Sequence, residues 1–266
     1  MKKIKLIPPF TILLSTMMII SFTGCSQKAT AEGDDLMKDI RPETVEKIDT
    51  YIVEDNIAAI NFSLNLFKNN LSSENTLISP VSVLSALGMT SNGAREETLS
   101  QMEEVFGLKR EKINQLLDLY IRNLPDGDKL KVSMANSIWF REGGSIDVNK
   151  DFLQTNSNYY NAGIYRSPFD EATLKDINDW VSKETDGMIE DILDKIPEDA
   201  MMYLINALSF DAEWETIYFD YQIRKDFFTA DDGTIQRVDM MVSGEDQYIE
   251  DDGAEGFMKN YAGGKY

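Results

Sequence analysis

The chain has 266 residues, of which 42% are hydrophobic and 10% aromatic, enough to bury one large core or two small ones. Its formal net charge of −20 excludes electrostatic binding to nucleic acid and attachment to anionic lipid through a basic surface. The sequence has no histidine and one cysteine, which excludes Ser-His-Asp and Cys-His nucleophilic sites, His-ligated metals and an internal disulfide.

The amino terminus, residues 1–24, has the pattern of a secretory signal peptide. Lys2, Lys3 and Lys5 precede an apolar run, Phe10 to Phe22, that is too short to span a membrane as a mature helix. The pattern predicts an exported protein.

Cys25 follows Thr23 and Gly24 in a stretch that resembles a bacterial lipobox, although Phe22 departs from the usual leucine. A small residue before the cysteine suits a lipoprotein signal peptidase, so we predict that Cys25 carries the lipid attachment. The alternative is a leftover apolar cysteine in an ordinary signal peptide. With lipidation, residues 25–50 become a flexible polar tether and the protein lies outside the cell, anchored to a bacterial membrane.

A first long helix is predicted from Ile57 to Asn70. Ile57, Ile60, Leu64 and Phe67 recur at helical spacing, and the pattern ends at a pair of asparagines. This helix opens the folded domain, which we place at residues 51–266.

A second, buried helix is predicted to begin at Ser79. Leu77 and Ile78 end a short apolar run, interpreted as a strand, after which Ser79 can cap a helix whose first residue is Pro80. Apolar residues then recur every three or four positions with small residues between them, so the helix should be slim and packed on several sides. These residues are Val81, Leu84, Leu87 and Gly88.

The end of that helix and the start of the next are predicted from local signals. Asn92 and Gly93 should supply the left-handed residue that ends the buried helix. Thr98 and Gln101 have the spacing of a capping box, which predicts the start of a third helix, and Gly107 should end it.

The remaining elements alternate between helical and strand-like patterns. Residues 201–210 are nearly all apolar around Asn206, which is typical of a central strand buried on both faces. Asp-Gly pairs at 126–127, 232–233 and 252–253 lack the spacing of a calcium loop and are predicted to be turns. The predicted elements are helices at 111–124, 152–160 and 177–187, strands at 130–140, 163–169 and 201–210, a hairpin at 227–238 that continues into a strand at 238–241, and the start of a strand pair at 256–266.

Five of these segments resemble, in the same order, sequence motifs of the serpin family. The ordered set, which runs from about residue 57 to residue 266, identifies the chain as a member of that family. The matching stretches are Ser-Pro-x-Ser from Ser79 with Gly-Ala at Gly93 and Thr-x-x-Gln-Met from Thr98; Asn-x-x-Trp-Phe from Asn136; Ile-Asn-x-Trp-Val from Ile177; Asn-Ala-Leu-Ser-Phe from Asn206 with Trp214 after it; and Val-x-Met-Met from Val238.

The resemblance implies a mixed α+β serpin fold, with N-terminal helices, a large central β-sheet A and parts of sheets B and C. The C-terminal third of the domain, with the fifth strand of the main sheet, the hinge and the reactive centre loop, is expected to be absent from this chain. Two positions depart from the family pattern: Asp211-Ala212 replaces a usual Lys-Gly, and Asp239 replaces a common proline.

The resemblance also implies roles for four residues. Ser79, Ser82 and Asn206 match the shutter beneath the middle of the main sheet, where polar contacts regulate strand separation. Trp214 matches the tryptophan of the breach, where an inserting loop first enters. Without the resemblance, the two serines are helix caps and Asn206 is a satisfied core amide.

By resemblance, the protein is an inhibitor of serine, or cysteine, endopeptidases that inserts its cleaved loop into the main sheet and traps the protease covalently. Its expected partners are the target protease and, through the lipid, the membrane; it is expected to be a monomer without cofactor, metal or catalytic residues. The chain as given has no reactive centre, so we expect it not to inhibit. The alternative is a non-inhibitory, chaperone-like surface module. A third reading, a carboxylate enzyme using a pair such as Asp211 and Glu213, has little support because accidental pairs are expected among 46 acids.

Overall fold

The structure is a computed structural model that describes residues 33–72, 75–144 and 146–266. The predicted signal peptide and the predicted lipid attachment at Cys25 lie outside these residues. Within them, no helix is both long enough and apolar enough to cross a membrane.

The described residues form helices followed by, and interleaved with, strands. The helices are α1 (Val53–Asn70), α2 (Pro80–Ser91), α3 (Glu96–Phe106), α4 (Arg110–Arg122), α5 (Lys150–Tyr160) and α6 (Glu171–Glu184). The strands are β1 (Asp34–Asp35), β2 (Asp126–Gly127), β3 (Leu130–Arg141), β4 (Gly163–Ser167), β5 (Met202–Ala212), β6 (Ile223–Thr229), β7 (Ile235–Met241), β8 (Tyr248–Asp251) and β9 (Ala254–Phe257).

The main sheet is organised around β3. β4 runs parallel to its second half, β2 pairs antiparallel with its start, and β1 extends the sheet beyond β4. β5 lies antiparallel along the other side of β3, in a register that joins Leu130 to Ala212 and Phe140 to Met202. Among the described residues no further strand pairs with β5.

The predicted strand at residues 201–210 is confirmed as β5 of the main sheet. Ile205, Ala207 and Ser209 are buried, whereas Met202 and Phe210 are more than one third exposed. The apolar composition of β5 reflects contact with layers on both faces of the sheet.

Helices cover both faces of the main sheet, so the fold has three layers. On one face, Ile138 and Phe140 of β3 pack in a core that includes residues of α1 to α5. On the other face, Trp139 packs with Ile177 and Val181 of α6. Because successive residues of a strand point to opposite faces, β3 supplies both cores.

The predicted start of α2 is confirmed, but the segment before it is not a strand. The Ser79 hydroxyl oxygen accepts a hydrogen bond from the backbone N–H of Ser82, and Pro80 is the first helical residue. Leu77 is fully exposed, and the residues from 75 to 79 pair with no strand among the described residues. The apolar pair Leu77 and Ile78 is therefore not evidence of a buried strand.

The boundary between α2 and α3 differs from the prediction. Asn92 has a right-handed φ of −65°, and its backbone N–H donates to the carbonyl of Met89, so the left-handed residue expected here is absent. α3 begins at Glu96, before the expected capping box, and Gln101 donates to Glu97 within the helix. Gly107 ends α3 with a φ of 67°, as predicted.

α1 packs against the fold through a face other than the predicted one. Phe62 is buried and makes an edge-to-face contact with Phe106, with ring centroids 6.4 Å apart. Ile57, Ile60 and Leu64, which belong to the predicted apolar face, are about half exposed. The helix therefore has two apolar faces, of which the described fold covers one.

The segment before α1 contacts the fold from residue 33 onward, within the part of the predicted tether, residues 25–50, that the structure describes. β1 pairs with β4 through backbone hydrogen bonds, which do not depend on strand-forming side chains. The Lys47 ammonium donates to Asp118 Oδ1 at 2.6 Å, and the backbone N–H of Glu43 donates to Asn158 Oδ1 at 2.8 Å.

Two hairpins follow the main sheet. β6 and β7 pair antiparallel across the predicted Asp-Gly turn, where Gly233 has a φ of 83°. β8 and β9 pair across a second turn at Asp252-Gly253. Two predictions are wrong in part: Asp126-Gly127 forms β2 instead of a turn, and only Gly256 and Phe257 of the segment 256–266 lie in a strand.

Candidate functional site

The predicted shutter divides into a helix cap and a separate amide pair. The hydroxyl oxygens of Ser79 and Ser82 are 2.7 Å apart, and both side chains are half-buried at the start of α2. α2 packs against β5, which carries Asn206. Among the described residues, however, no hydrogen bond joins either serine to Asn206, so the serines act here as cap residues.

Asn206 is hydrogen-bonded across the sheet to Asn136, which begins one of the matching motifs but was given no role by the sequence analysis. It lies directly opposite Asn136 in the β3–β5 pairing, and its Nδ2 donates to Asn136 Oδ1 at 2.8 Å. Asn136 is 2% exposed and donates in turn to the backbone carbonyl of Tyr160 at 3.2 Å. The pair ties β5 to β3 and β3 to the end of α5.

The carbonyl oxygen of the Asn206 side chain is buried and has no hydrogen-bond partner within the described residues. A buried acceptor without a donor costs about 1–3 kcal/mol. A hydrogen-bond donor placed next to this oxygen would remove that cost.

Tyr160 connects the shutter to a buried asparagine network. Its hydroxyl donates to Asn114 Oδ1 at 2.7 Å, Asn114 donates to Asn92 Oδ1 at 3.0 Å, and Asn92 donates to Asn156 Oδ1 at 3.2 Å. Complete burial raises the pKa of Tyr160 far above its usual value, so the phenol stays protonated and acts as a donor. Sequence analysis missed this network because its members lie on two helices, α4 and α5, and at the end of a third, α2.

Gly88 explains why α2 can lie so close to this network. A Cβ atom at position 88 would come within 2.5 Å of the Tyr160 hydroxyl oxygen, too close for any real contact. The slim helix predicted from the small residues of α2 is thus confirmed at this point.

Trp214, the predicted breach residue, lies just beyond the end of β5. Its ring stacks on Tyr261 with centroids 4.3 Å apart, and the two residues form an isolated β-bridge. Phe210 meets Tyr261 edge to face at 5.1 Å. Phe210, Trp214 and Tyr261 therefore form an aromatic cluster at this end of the sheet.

A lysine inserts into the aromatic cluster. The Lys259 ammonium lies 4.6 Å from the ring centroid of Tyr218 and 5.6 Å from that of Trp214, and it pairs with Glu245 Oε1 at 2.6 Å. Ser243 donates a second hydrogen bond to the same Glu245 oxygen. Hydrogen bonds from Lys259 and Ser243 lower the pKa of Glu245, and the bond to Glu245 raises the pKa of Lys259.

The remaining candidate groups are not arranged as a catalytic or metal site. Asp211 and Glu213 are both exposed, and Glu213 pairs with Lys129 at 3.4 Å. No cluster of three or more potential metal ligands occurs among the described residues.

Comparisons with known proteins agree on one family. A family model described as "Serpin (serine protease inhibitor)" matches residues 58–260. Human neuroserpin is 32% identical over 203 residues, which cover 73% of this chain and 48% of that protein. An uncharacterised serpin-like protein of Thermococcus kodakarensis is 24% identical over 273 residues, which cover 95% of this chain and 63% of that protein.

Solved structures show the same likeness. The native state of tengpin, a thermophilic serpin, matches with a TM-score of 0.82 and 44% identity, over 87% of this chain and 60% of that one. The chain thus spans less than two thirds of each of these relatives.

Replacing Asn206 with alanine should loosen the attachment of β5. The substitution breaks the bond to Asn136 and leaves Asn136 Oδ1 without its donor, but it also removes the orphan oxygen of Asn206. We therefore expect a loss of only about 0.5–1.5 kcal/mol in the free energy of unfolding, together with faster hydrogen exchange of the β5 amides. Urea denaturation and exchange mass spectrometry measure the two effects. Asn65→Ala, on the exposed surface of α1, is the matched control; wild-type behaviour of Asn206→Ala in both measurements would show that the pair carries no structural role.

The Glu245–Lys259 pair should stabilise the fold only within a window of pH. The pKa of Glu245 is lowered from 4.5, so its contribution is present above 4.5 and is lost as pH falls through the lowered value. The pKa of Lys259 is raised from 10.5, so its contribution is present below 10.5 and is lost as pH rises through the raised value.

Denaturation of the wild type and of Glu245→Gln over a pH series tests this window. The variant should be less stable near neutral pH, and the difference should shrink toward acid. Glu250→Gln, on exposed β8, should show no such dependence. A difference between wild type and Glu245→Gln that is constant at every pH would contradict the assignment.

Proposed function

The chain belongs to the serpin family and has the serpin fold, and from this premise we propose that the protein is an exported, membrane-anchored inhibitor of serine, or cysteine, proteases. The proposed mechanism is insertion of a cleaved loop into the main sheet with covalent trapping of the protease. In this proposal the protein is not a catalyst. The free energy that drives trapping comes from a change in its own fold.

The family match over residues 58–260 is the observation that carries the proposal. Two strands of the main sheet, β3 and β5, are paired over eleven residues in the described fold. An extended segment that inserts beside β5 would form backbone hydrogen bonds along that strand, each of which stabilises by about 0.5–1.5 kcal/mol.

Two features of β5 fit an incoming strand. The unpartnered oxygen of Asn206 lies in the middle of β5, where a donor on the new strand would satisfy it. The aromatic cluster around Trp214 lies at the end of β5, where the family resemblance places the first contact of an inserting loop. In this proposal Asn206 favours the inserted state, and Trp214 with Lys259 controls access to it.

Export and anchoring rest on the amino terminus. The lysine-rich start, the short apolar run and the lone Cys25 support a lipoprotein signal. The net charge of −20 opposes adsorption to anionic lipid, so attachment would have to be covalent. The proposed location is the outer side of a bacterial membrane.

The intact product of the gene should form a complex with a serine protease that survives SDS. Incubation with trypsin-like, chymotrypsin-like and papain-like proteases, followed by denaturing electrophoresis, measures it. A protease whose catalytic serine is replaced by alanine is the control and should give no complex, because trapping requires the acyl-enzyme. Cleavage of the chain without any complex would contradict inhibition and favour a non-inhibitory binding module.

Replacing Cys25 with serine should release the protein from membranes. A cysteine that carries the lipid is required for anchoring, so the variant should move from the membrane fraction to the soluble fraction of the producing bacterium. Fractionation followed by immunoblotting measures the change. Ser21→Ala, within the apolar run, is the control; unchanged partitioning of Cys25→Ser would remove the lipid anchor from the proposal.

A further inference from the structure

The segment between α2 and α3 contains the only Asn-Gly pair in the sequence, Asn92-Gly93. In a flexible chain this dipeptide is prone to deamidation, because glycine has no side chain to hinder attack by its own backbone nitrogen. In this structure, both of the groups that would react are held by hydrogen bonds.

Deamidation of Asn92 would need water and no enzyme. After the Gly93 nitrogen loses its proton to hydroxide, it attacks the side-chain carbon Cγ of Asn92, and the new C–N bond closes a five-membered succinimide ring. The bond from Cγ to Nδ2 breaks, and the side-chain nitrogen leaves as ammonia after it takes a proton from water. Water then opens the ring at either carbonyl, which leaves aspartate or isoaspartate at position 92.

The backbone at the end of α2 holds the attacking nitrogen away from its target. Asn92 has a ψ of −21°, so the Gly93 nitrogen nearly eclipses the Asn92 backbone nitrogen about the Cα–C bond. Ring closure requires the Gly93 nitrogen to eclipse Cβ instead, which lies on a different bond of the same tetrahedral carbon. The Gly93 N–H also donates to the carbonyl of Thr90 at 2.9 Å, so the proton that must be lost is itself bonded.

The side-chain amide of Asn92, which is the target of the attack, is hydrogen-bonded through both of its ends. Its Nδ2 donates to Asn114 Oδ1 at 3.3 Å and to Asn156 Oδ1 at 3.2 Å. Its Oδ1 accepts a hydrogen bond from Asn114 Nδ2 at 3.0 Å. Asn114 and Asn156 are 4% and 0% exposed, so Asn92 cannot turn toward the Gly93 nitrogen without leaving buried partners unsatisfied.

The partners of Asn92 are themselves held in place. Asn114 Oδ1 also accepts from the Tyr160 hydroxyl at 2.7 Å, and Asn156 Nδ2 donates to the carbonyl of Phe152 at 3.0 Å within α5. These bonds orient the side-chain oxygens of Asn114 and Asn156 toward the Asn92 amide. The whole arrangement belongs to α2, α4 and α5, and it involves neither β5 nor the segments that follow β5.

We propose that Asn92-Gly93 is a deamidation site that the asparagine network protects, and that it reacts only when the end of α2 separates from α4 and α5. Isoaspartate adds one carbon atom to the main chain. Aspartate replaces a bonded donor with a carboxylate that faces the oxygens of Asn114 and Asn156. Neither product can restore the network, so deamidation makes a transient local opening permanent. The inference does not depend on the proposed function.

Deamidation should be slower in the folded chain than in the unfolded chain. The purified chain is incubated at mildly alkaline pH with and without urea, and trypsin then releases the peptide 69–95. Its mass rises by the difference between water and ammonia, and fragmentation assigns the change to position 92. We expect a rate at least about tenfold lower in the folded chain, which corresponds to an opening free energy of at least about 1.4 kcal/mol.

Removal of one acceptor from the network should speed deamidation of the folded chain. Asn156→Ala removes the oxygen that holds Asn92 Nδ2, so the rate should rise toward that in urea. Val181→Ala is the matched control, because it lowers global stability by removing apolar contacts from the other core, on α6. It should leave the rate unchanged, since local opening is more frequent than global unfolding.

Tyr160→Phe is a second variant that tests the network if Asn156→Ala does not fold. It keeps an aromatic ring in the core and removes only the hydroxyl that orients Asn114. Deamidation should again become faster than in the wild type. Hydrogen exchange of the Gly93 amide should become faster in parallel, because the same opening exposes the nitrogen to hydroxide in both reactions.

Three results would overturn the proposal. Equal rates in the folded and the urea-unfolded chain would show that the hydrogen bonds do not protect Asn92. An acceleration by Val181→Ala as large as that by Asn156→Ala would assign the reaction to global unfolding. Wild-type rates in both Asn156→Ala and Tyr160→Phe would show that the network does not hold the reacting amide.

Discussion

The fold depends on how a few polar side chains are satisfied inside an apolar sandwich. Asn136 lies in the middle of β3 between two hydrophobic cores, where an unpaired amide would be costly. It is satisfied by Asn206 on one side and by the carbonyl of Tyr160 on the other. These two bonds fix β5 and the end of α5 against the same strand, so the register of the sheet and the position of the helix layer are set together.

The helix layer is held close to the sheet by a second constraint of the same kind. The Tyr160 hydroxyl is buried and bonded to Asn114, and it occupies the space that a side chain on Gly88 would fill. Glycine at position 88 permits this approach of α2, and the buried Asn114 side chain supplies the acceptor that the phenol needs at that depth. The close packing of α2 therefore depends both on its own small residues and on the asparagines of the neighbouring helices.

Local signals predicted the elements but not the partners. The apolar period of α4, the serine cap of α2 and the left-handed Gly107 are properties of short stretches, and the structure confirms them. β1 could not be predicted, because two aspartates have no strand propensity and pair only through the backbone.

The candidate site shows the same division between local and distant information. Asn136 and Asn206 are seventy residues apart, so no periodicity could reveal their bond. For α1, the spacing revealed an apolar face, but the buried side of a helix with two such faces is decided by the surrounding fold. Asn206 and Trp214 came from family resemblance, and Lys259 and Glu245, which complete the aromatic cluster, had no motif to identify them.

The composition of β5 bears on what its edge is for. Soluble proteins usually protect an open edge with charged residues, prolines or bulges, because an unprotected edge recruits other strands. From Met202 to Phe210 this strand has no charged residue and no proline, and its pairing with β3 continues without a bulge. The first charge is Asp211, at the end where the aromatic cluster begins. These features suit an edge that pairs with a further strand, and a donor on such a strand would satisfy the orphan oxygen of Asn206 in the middle of β5.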